Sequence, residues 1–102
     1  MAMGHKTSFI GDLDLYTFRL NNGLTLKVVP DASAPVVAVQ TWYDVGSADE
    51  SPSKTGLAHL FEHMMFKGTD VYVDGAFSAE LEALGANGLN AWTWLDQTVF
   101  VQ

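Results

Sequence analysis

The first half of the chain has the alternation of polar and apolar positions that is typical of β-strands. Strand-forming residues occupy 15–20 and 24–29. The sequence Asn-Asn-Gly at 21–23 between them predicts a tight hairpin, because asparagine and glycine tolerate positive φ angles. A long β-branched and aromatic run follows at 36–45. This run is too apolar for an edge strand, so we expect it to be a central strand of a sheet.

The next segment has the 3.6-residue period of a helix. Between Thr55 and Gly68 the apolar side chains recur at i, i+3, i+4, i+7 and i+8, which is the spacing of one helical face. These side chains are Leu57, Leu60, Phe61, Met64 and Met65. Gly68 is the expected end of the helix, since glycine accepts the left-handed conformation of a C-terminal cap.

A second helix and two strands complete the pattern. Apolar residues at i, i+4 and i+7 predict a helix over 76–84, and β-rich segments predict strands at 89–94 and 97–102. The order β-β-β-α-α-β-β predicts an α+β fold in which helices pack on one face of a largely antiparallel sheet. We assign this fold to residues 15–102. Residues 1–14 are interpreted as an N-terminal tail whose start resembles an expression tag.

Three groups that bind metals or transfer protons lie on the helix face opposite the apolar one. His59 and His63 are one turn apart, so both imidazoles can bind one metal ion from a single helix. Neutral imidazole suits zinc, copper, iron or nickel, and zinc is the metal that we expect in a hydrolase. Glu62 is placed to act as a general base on a metal-activated water. The order His-x-x-Glu-His is that of the inverzincin motif, which indicates hydrolysis of a peptide or a similar amide.

The same three residues have a simpler interpretation. A solvated helix face carries histidine and glutamate without any metal, and Glu62 would then form only weak ion pairs with His59 or His63. The chain has three histidines, and two of them stand at chelating spacing opposite an apolar face. We therefore favour the metal site, and we assign no role to the third histidine, His5.

Composition narrows the possible functions. A formal charge of −7 with five basic residues argues against a nucleic-acid-binding surface. The chain has no cysteine, so disulfides and thiolate ligands are excluded and a metal site must use histidine and carboxylate. No apolar run approaches the roughly 20 residues that a membrane-spanning helix needs. The start of the chain lacks the apolar segment of a signal peptide, so we expect a soluble protein of unknown compartment.

Taken together, the motifs resemble the N-terminal part of the pitrilysin-type (M16, insulinase-like) zinc metallopeptidases. The resemblance covers roughly residues 15–102. It rests on Asn-Gly-Leu in the hairpin, Gly-Ser followed by Glu50, the helix sequence from Thr-Gly-Leu-Ala-His to Lys-Gly-Thr at 55–69, and Asn-Ala-Trp-Thr at 90–93 with Asp96 and Thr98. It implies a metalloendopeptidase that hydrolyses peptides or proteins with zinc as cofactor.

The resemblance also implies roles for individual residues. His59 and His63 correspond to zinc ligands, and Glu62 corresponds to the base that activates the attacking water. Asn90 and Ala91 correspond to an edge strand that holds an extended substrate by adding it to the sheet. From the residues alone, Asn90 is better explained as a turn or strand-edge residue that bonds its own backbone.

The resemblance further implies that this chain is an incomplete catalytic unit. A catalytic zinc site uses three protein ligands, and in this family the third is a glutamate on a later helix. None of Glu80, Glu82 and Asp96 stands at the matching position. The family's catalytic unit also includes a second, similar domain. We therefore expect the chain to need the rest of the peptidase or a partner subunit.

An alternative function is a non-catalytic interaction module. The final strand, if it is unpaired, would offer an edge to which a peptide or a second copy of the chain could add. Exposed edges also predict self-association of the isolated chain, by a homo-oligomeric contact or by domain swapping. Glu62 favours the catalytic interpretation, because an interaction module has no chemical need for a base beside two metal ligands.

Overall fold

The computed structural model describes residues 3–102 and divides them into two compact units, with the boundary between Val36 and Val37. The first unit is an antiparallel sheet of three strands in the order β1-β2-β3. These strands are β1 (Met3–Ser8), β2 (Asp14–Arg19) and β3 (Thr25–Val28).

The predicted hairpin between β2 and β3 is confirmed. Gly23 has a φ of 92°, a conformation that side chains with a Cβ rarely adopt. Its backbone amide donates to the carbonyl of Leu20 at 2.9 Å. The amide of Leu24 donates to Oδ1 of Asn22 at 3.1 Å. The asparagine side chain and the glycine backbone together close the turn, as the Asn-Gly pattern predicts.

Strand β1 lies inside the segment that we interpreted as a tail. Its residues pair along their length with β2, and Lys6 Nζ lies 2.8 Å from Asp14 Oδ2. The hydrogen bond and the charge of Asp14 raise the pKa of Lys6. The polar sequence His-Lys-Thr-Ser at 5–8 has no apolar alternation, so the pattern gives no strand signal there. The tag-like start at residues 1 and 2 lies outside the described residues.

The second unit contains both helices and the remaining strands. Its elements are β4 (Gln40–Tyr43), a short 3-10 helix (Ser47–Asp49), α1 (Leu57–Met64), α2 (Ala76–Ala83), β5 (Asn90–Thr93) and β6 (Thr98–Val101). The strands form an antiparallel sheet in the order β4-β6-β5, and α1 contacts β5 and β6. The α+β class is therefore confirmed, although the described strands form two sheets where the pattern suggested one.

Strand β6 is the central strand of the second sheet, which corrects two predictions. The run at 36–45 contributes only the four-residue edge strand β4, and the last strand is paired on both sides. Val99 in β6 is fully buried, whereas Val36 and Val37 are 76% and 84% exposed. Apolar content favours burial but does not say which strand receives two neighbours.

Both helices are short. Each has eight residues, and within residues 3–102 neither helix has the length and apolar content to span a membrane.

Candidate metal and catalytic site

Helix α1 brings the two predicted metal ligands together. The Nε2 atoms of His59 and His63 are 2.9 Å apart, and the two ring centroids are 4.6 Å apart. Both side chains are exposed. The i, i+4 spacing on a regular helix produces this proximity, because it places the second ring one turn above the first.

Glu62 differs from the two imidazoles in its burial. It is only 8% exposed and is the buried residue of α1. The hydroxyl of Thr93 in β5 donates a hydrogen bond to Oε2 of Glu62 at 2.5 Å. A buried carboxylate is costly without hydrogen bonds, so this contact between helix and sheet stabilises the observed position of Glu62.

Thr93 is itself held by the β5-β6 hairpin. Thr93 and Thr98 are directly opposite each other across the two strands, and their Oγ1 atoms are 3.5 Å apart. The hydroxyl of Thr98 donates to the carbonyl of Val45 at 2.9 Å. The hydroxyl proton of Thr98 is used in the shorter bond, to Val45, so Thr98 supports Thr93 mainly by packing. The bond to Val45 also joins the β5-β6 hairpin to the segment that follows β4.

The apolar face of α1 is not buried against the sheet. Helical periodicity alone would place that face on the core. Its residues are instead exposed by between 36% and 56%: Leu57, Leu60, Phe61, Met64 and Met65. The helix contacts β5 and β6 through the face that carries Glu62. We call these five apolar residues the α1 stripe.

Glu50 holds the beginning of α1. Its Oε2 accepts a hydrogen bond from the backbone amide of Ala58 at 3.0 Å. Gly56 is the N-cap residue of the helix and has no side chain with which to cap it. One of the four free amides at the helix start therefore bonds to a carboxylate eight residues earlier, and the negative charge also suits the positive end of the helix dipole.

An open cleft of about 640 Å³ lies beside these groups. Its lining includes Glu50, His59, Glu62, Ala91, Trp92 and Thr93. The cleft thus runs between the start of α1 and the edge strand β5. A chain segment in the cleft would lie next to both His59 and the carboxylate of Glu62.

The predicted substrate-binding residues are at the start of β5. Ala91 lines the cleft, whereas Asn90 lines a smaller cavity of about 210 Å³ together with Phe66, Phe77 and Phe100. Oδ1 of Asn90 accepts a hydrogen bond from the amide of Ala91 at 2.9 Å. This is the local backbone contact that we named as the alternative explanation for Asn90.

The hydrogen-bond pattern shows which edge of β5 is open. The amide of Trp94 donates to the carbonyl of Gln97 across the hairpin at 2.8 Å. Along a β-strand, backbone amides point alternately to the two sides. Because the amide of Trp94 points towards β6, the amides of Thr93 and Ala91 point away from β6. The sheet order β4-β6-β5 leaves that side of β5 without a strand among the described residues.

A complete metal site is not formed by residues 3–102 alone. Among them, no group of three or more His, Asp or Glu side chains is arranged to hold a metal ion. His59 and His63 supply two nitrogen donors, which is one fewer than the three protein ligands of a typical catalytic zinc site.

Comparison with known proteins points to one protein family. A sequence model of the family described as Insulinase (Peptidase family M16) matches residues 27–102. The beta subunit of mitochondrial-processing peptidase from Lentinula edodes is 42% identical over 81 residues, which cover 79% of this chain and 17% of that protein. The probable zinc protease PqqL from Escherichia coli is 35% identical over 94 residues, which cover 87% of this chain and 10% of PqqL.

The crystal structure of the first half of the periplasmic protease PqqL from Escherichia coli is also similar. The match has a TM-score of 0.71 at 35% identity and covers 85% of this chain and 19% of that chain. Residues 3–102 therefore have an α+β fold that is similar to part of the protease PqqL.

The chain belongs to the M16 peptidase family, a family of metallopeptidases. The resemblance noted in the sequence is thereby confirmed. The chain spans one fifth or less of the length of the relatives described above.

Sequence reasoning assigned no role to three residues of this site. Thr93, Thr98 and Glu50 make the contacts that position Glu62 and the start of α1. A signal for the threonines was present, because two residues placed symmetrically about the turn at Leu95 and Asp96 must face each other in a hairpin. No sequence pattern indicates that Glu50 would reach Ala58 across a loop.

Proposed function

We propose that this chain contributes the metal-binding helix and the general base of a zinc-dependent endopeptidase of the M16 type. In this proposal His59 and His63 hold zinc through Nε2, and Glu62 takes the proton of the water that attacks a peptide carbonyl. The arrangement on α1 supports this proposal most directly. The Nε2 atoms of His59 and His63 are 2.9 Å apart, and the carboxylate of Glu62, on the same helix, is held by Thr93 of β5.

The histidine pair fits zinc in donor type, and its separation is close to the one that zinc needs. Zinc–nitrogen bonds are about 2.0–2.1 Å long, so two nitrogens bound to one tetrahedral ion lie about 3.3 Å apart. The two Nε2 atoms are 2.9 Å apart and would have to separate slightly to bind one ion. Without a metal, the same separation requires one ring to donate its N–H to the other. A third protein ligand would have to come from outside residues 3–102, which is why we propose that the chain acts with further parts of a peptidase.

The chain's own residues would perform the proton transfers. Bound zinc would supply Lewis acidity, which polarises the scissile carbonyl and makes water more acidic. Oε2 of Glu62 is engaged by Thr93. Oε1 makes no hydrogen bond to the described residues. Among these residues, every fully buried side-chain nitrogen or oxygen has a partner, so Oε1 is not fully buried and retains access to solvent. This oxygen would accept the proton from water and deliver it to the leaving amine.

The substrate would bind as an added strand on the open edge of β5. Ala91 lies on the cleft, and its outward amide can donate to a peptide carbonyl once the Asn90 side chain rotates away. Strand addition would align an extended peptide beside Glu62 and His59, which line the same cleft. This geometry suits peptides in extended conformation and gives Asn90 and Ala91 their roles in substrate binding.

Metal binding and cleavage test the proposal separately. Zinc binding is measured by competition with a chromophoric chelator in His59→Ala, His63→Ala and His5→Ala. We expect the first two variants to lose zinc binding and His5→Ala to retain it, since His5 lies in β1 of the other unit. Equal zinc binding by all three variants would contradict the assignment of the ligands.

Cleavage is measured with a quenched fluorescent peptide library at saturating zinc, in a peptidase that contains this chain together with the parts that complete the zinc site. We expect Glu62→Gln to abolish cleavage without loss of zinc, because the amide cannot accept the proton. Glu82→Gln is the matched control, since Glu82 is an exposed acid on α2 and no role is assigned to it. Cleavage that persists in Glu62→Gln would show that a different group is the base.

A further inference from the structure

The contact between Thr93 and Glu62 has a role beyond holding the helix on the sheet. We propose that Thr93 is a positioning residue that fixes the carboxylate of Glu62 so that Oε1, and not Oε2, is the oxygen that handles the proton. This inference rests on the proposed function, in which Glu62 is the general base.

The first observation is the geometry of the hydrogen bond. The Oγ1 of Thr93 lies 2.5 Å from Oε2 of Glu62, at the short end of the range for O–H···O⁻ bonds. An ionised carboxylate can only accept, so the threonine must be the donor. A single strong donor on one oxygen restricts rotation of the carboxylate and makes its two oxygens inequivalent.

The second observation is the rigidity of the donor. Thr93 stands in β5, directly opposite the buried Thr98 of the central strand β6. Thr98 is fixed in turn by its bond to the carbonyl of Val45. Because the donor is carried by a paired strand and not by a loop, it can define the position of a side chain on α1.

The third observation is the position of the carboxylate relative to the metal ligands. The backbone of Glu62 is adjacent to that of His63, yet its side chain is buried whereas both imidazoles are exposed. The histidines contact each other through Nε2, and Thr93 makes no hydrogen bond to either ring among the described residues. Loss of the Thr93 hydroxyl should therefore affect the base and leave the metal ligands in place.

The test compares Thr93→Val with Thr93→Ser in the zinc-loaded peptidase that contains this chain together with the parts that complete the zinc site. Valine keeps the shape of threonine but removes the donor, whereas serine keeps the donor. We expect Thr93→Val to lower kcat by roughly ten- to a hundredfold with little change in KM, as is usual for a misplaced catalytic group. We expect Thr93→Ser to retain most of the activity and zinc affinity to be unchanged in both variants.

A second readout does not depend on cleavage. With 13C-labelled glutamate, the side-chain carboxyl signal of Glu62 is assigned by its disappearance in Glu62→Gln. We expect Thr93→Val to shift this signal and Thr93→Ser to leave it near the wild-type position. Thr41→Val is the matched control, because Thr41 is a strand residue of the same sheet whose hydroxyl makes no hydrogen bond among the described residues.

The outcomes separate this inference from the proposed function. If wild-type protein cleaves peptides through Glu62 and Thr93→Val is equally fast, the positioning role of Thr93 is overturned and the proposed function stands. If no Glu62-dependent cleavage is found, the proposed function fails. The carboxyl signal then decides the remaining claim: an unchanged signal in Thr93→Val would show that Thr93 does not orient Glu62.

Discussion

Glu50 bonds through its carboxylate to the backbone amide of Ala58, at 3.0 Å and across eight residues of sequence. This bond connects the loop before α1 to the first turn of the helix. The next residue along the helix is His59, one of the two proposed zinc ligands. The start of the helix that carries the proposed zinc ligands is therefore bonded to a side chain outside the helix.

We predict that Glu50→Ala destabilises the start of α1. Loss of a helix N-terminal cap costs about 0.5–2 kcal/mol, so the free energy of unfolding should fall by about 1 kcal/mol. Glu50→Gln keeps an oxygen acceptor and should lose less. Chemical denaturation of both variants gives the comparison, with Glu80→Ala on the exposed side of α2 as the control. A loss in Glu80→Ala as large as that in Glu50→Ala would argue against a specific cap.

The buried part of β6 gives a second prediction. Val99 is fully buried, whereas Val37 is 84% exposed, so the same substitution to alanine should have very different effects. Each buried CH₂ contributes about 0.8 kcal/mol, and Val99→Ala should cost about 2 kcal/mol once the cavity is included. Val37→Ala should change the free energy of unfolding by less than about 0.5 kcal/mol, as surface substitutions usually do. Similar losses in the two variants would show that β6 is not the central strand.

The sequence predicted the local geometry of this site better than its surroundings. Helical spacing is strictly local, so the positions of His59 and His63 on one side of α1 could be derived from the residue order alone. The hairpin at Asn22 and Gly23 was also local, because its turn residues determine their own backbone conformation. Both features depend on residues no more than a few positions apart.

The features that were missed depend on contacts between distant residues. The central position of β6 results from pairing with two strands, one of them almost sixty residues earlier in sequence. The hydrogen bond from Thr93 to Glu62 spans 31 residues. The apolar spacing of α1 predicted a buried stripe, yet its contact with the sheet passes through Glu62. Periodicity describes the faces of an element but not which face meets its neighbour.

The open edge of β5 gives a third prediction. Ala91→Pro removes an amide that points away from β6, so it should leave the β5-β6 pairing largely intact. The substituted strand can no longer donate to a bound peptide at that position. We expect KM for an extended peptide to rise at least severalfold, while Ala91→Gly, which keeps the amide, should bind peptide nearly as well as wild type. Equal KM values for the proline and glycine variants would argue against strand addition at β5.

The α1 stripe gives the last prediction. Leu60, Phe61, Met64 and Met65 are each more than half exposed and lie on adjacent turns of one helix. Contiguous exposed apolar surface favours association, so we expect the isolated chain to form dimers or larger assemblies as its concentration rises. Leu60→Glu should shift the mass measured by light scattering towards the monomer, because it places a charge within the stripe. Leu84→Glu is the matched control, since Leu84 is 85% exposed and lies after α2, outside the stripe. A monomeric wild type at high concentration, or an equal effect of the two glutamates, would exclude the α1 stripe as the surface of self-association.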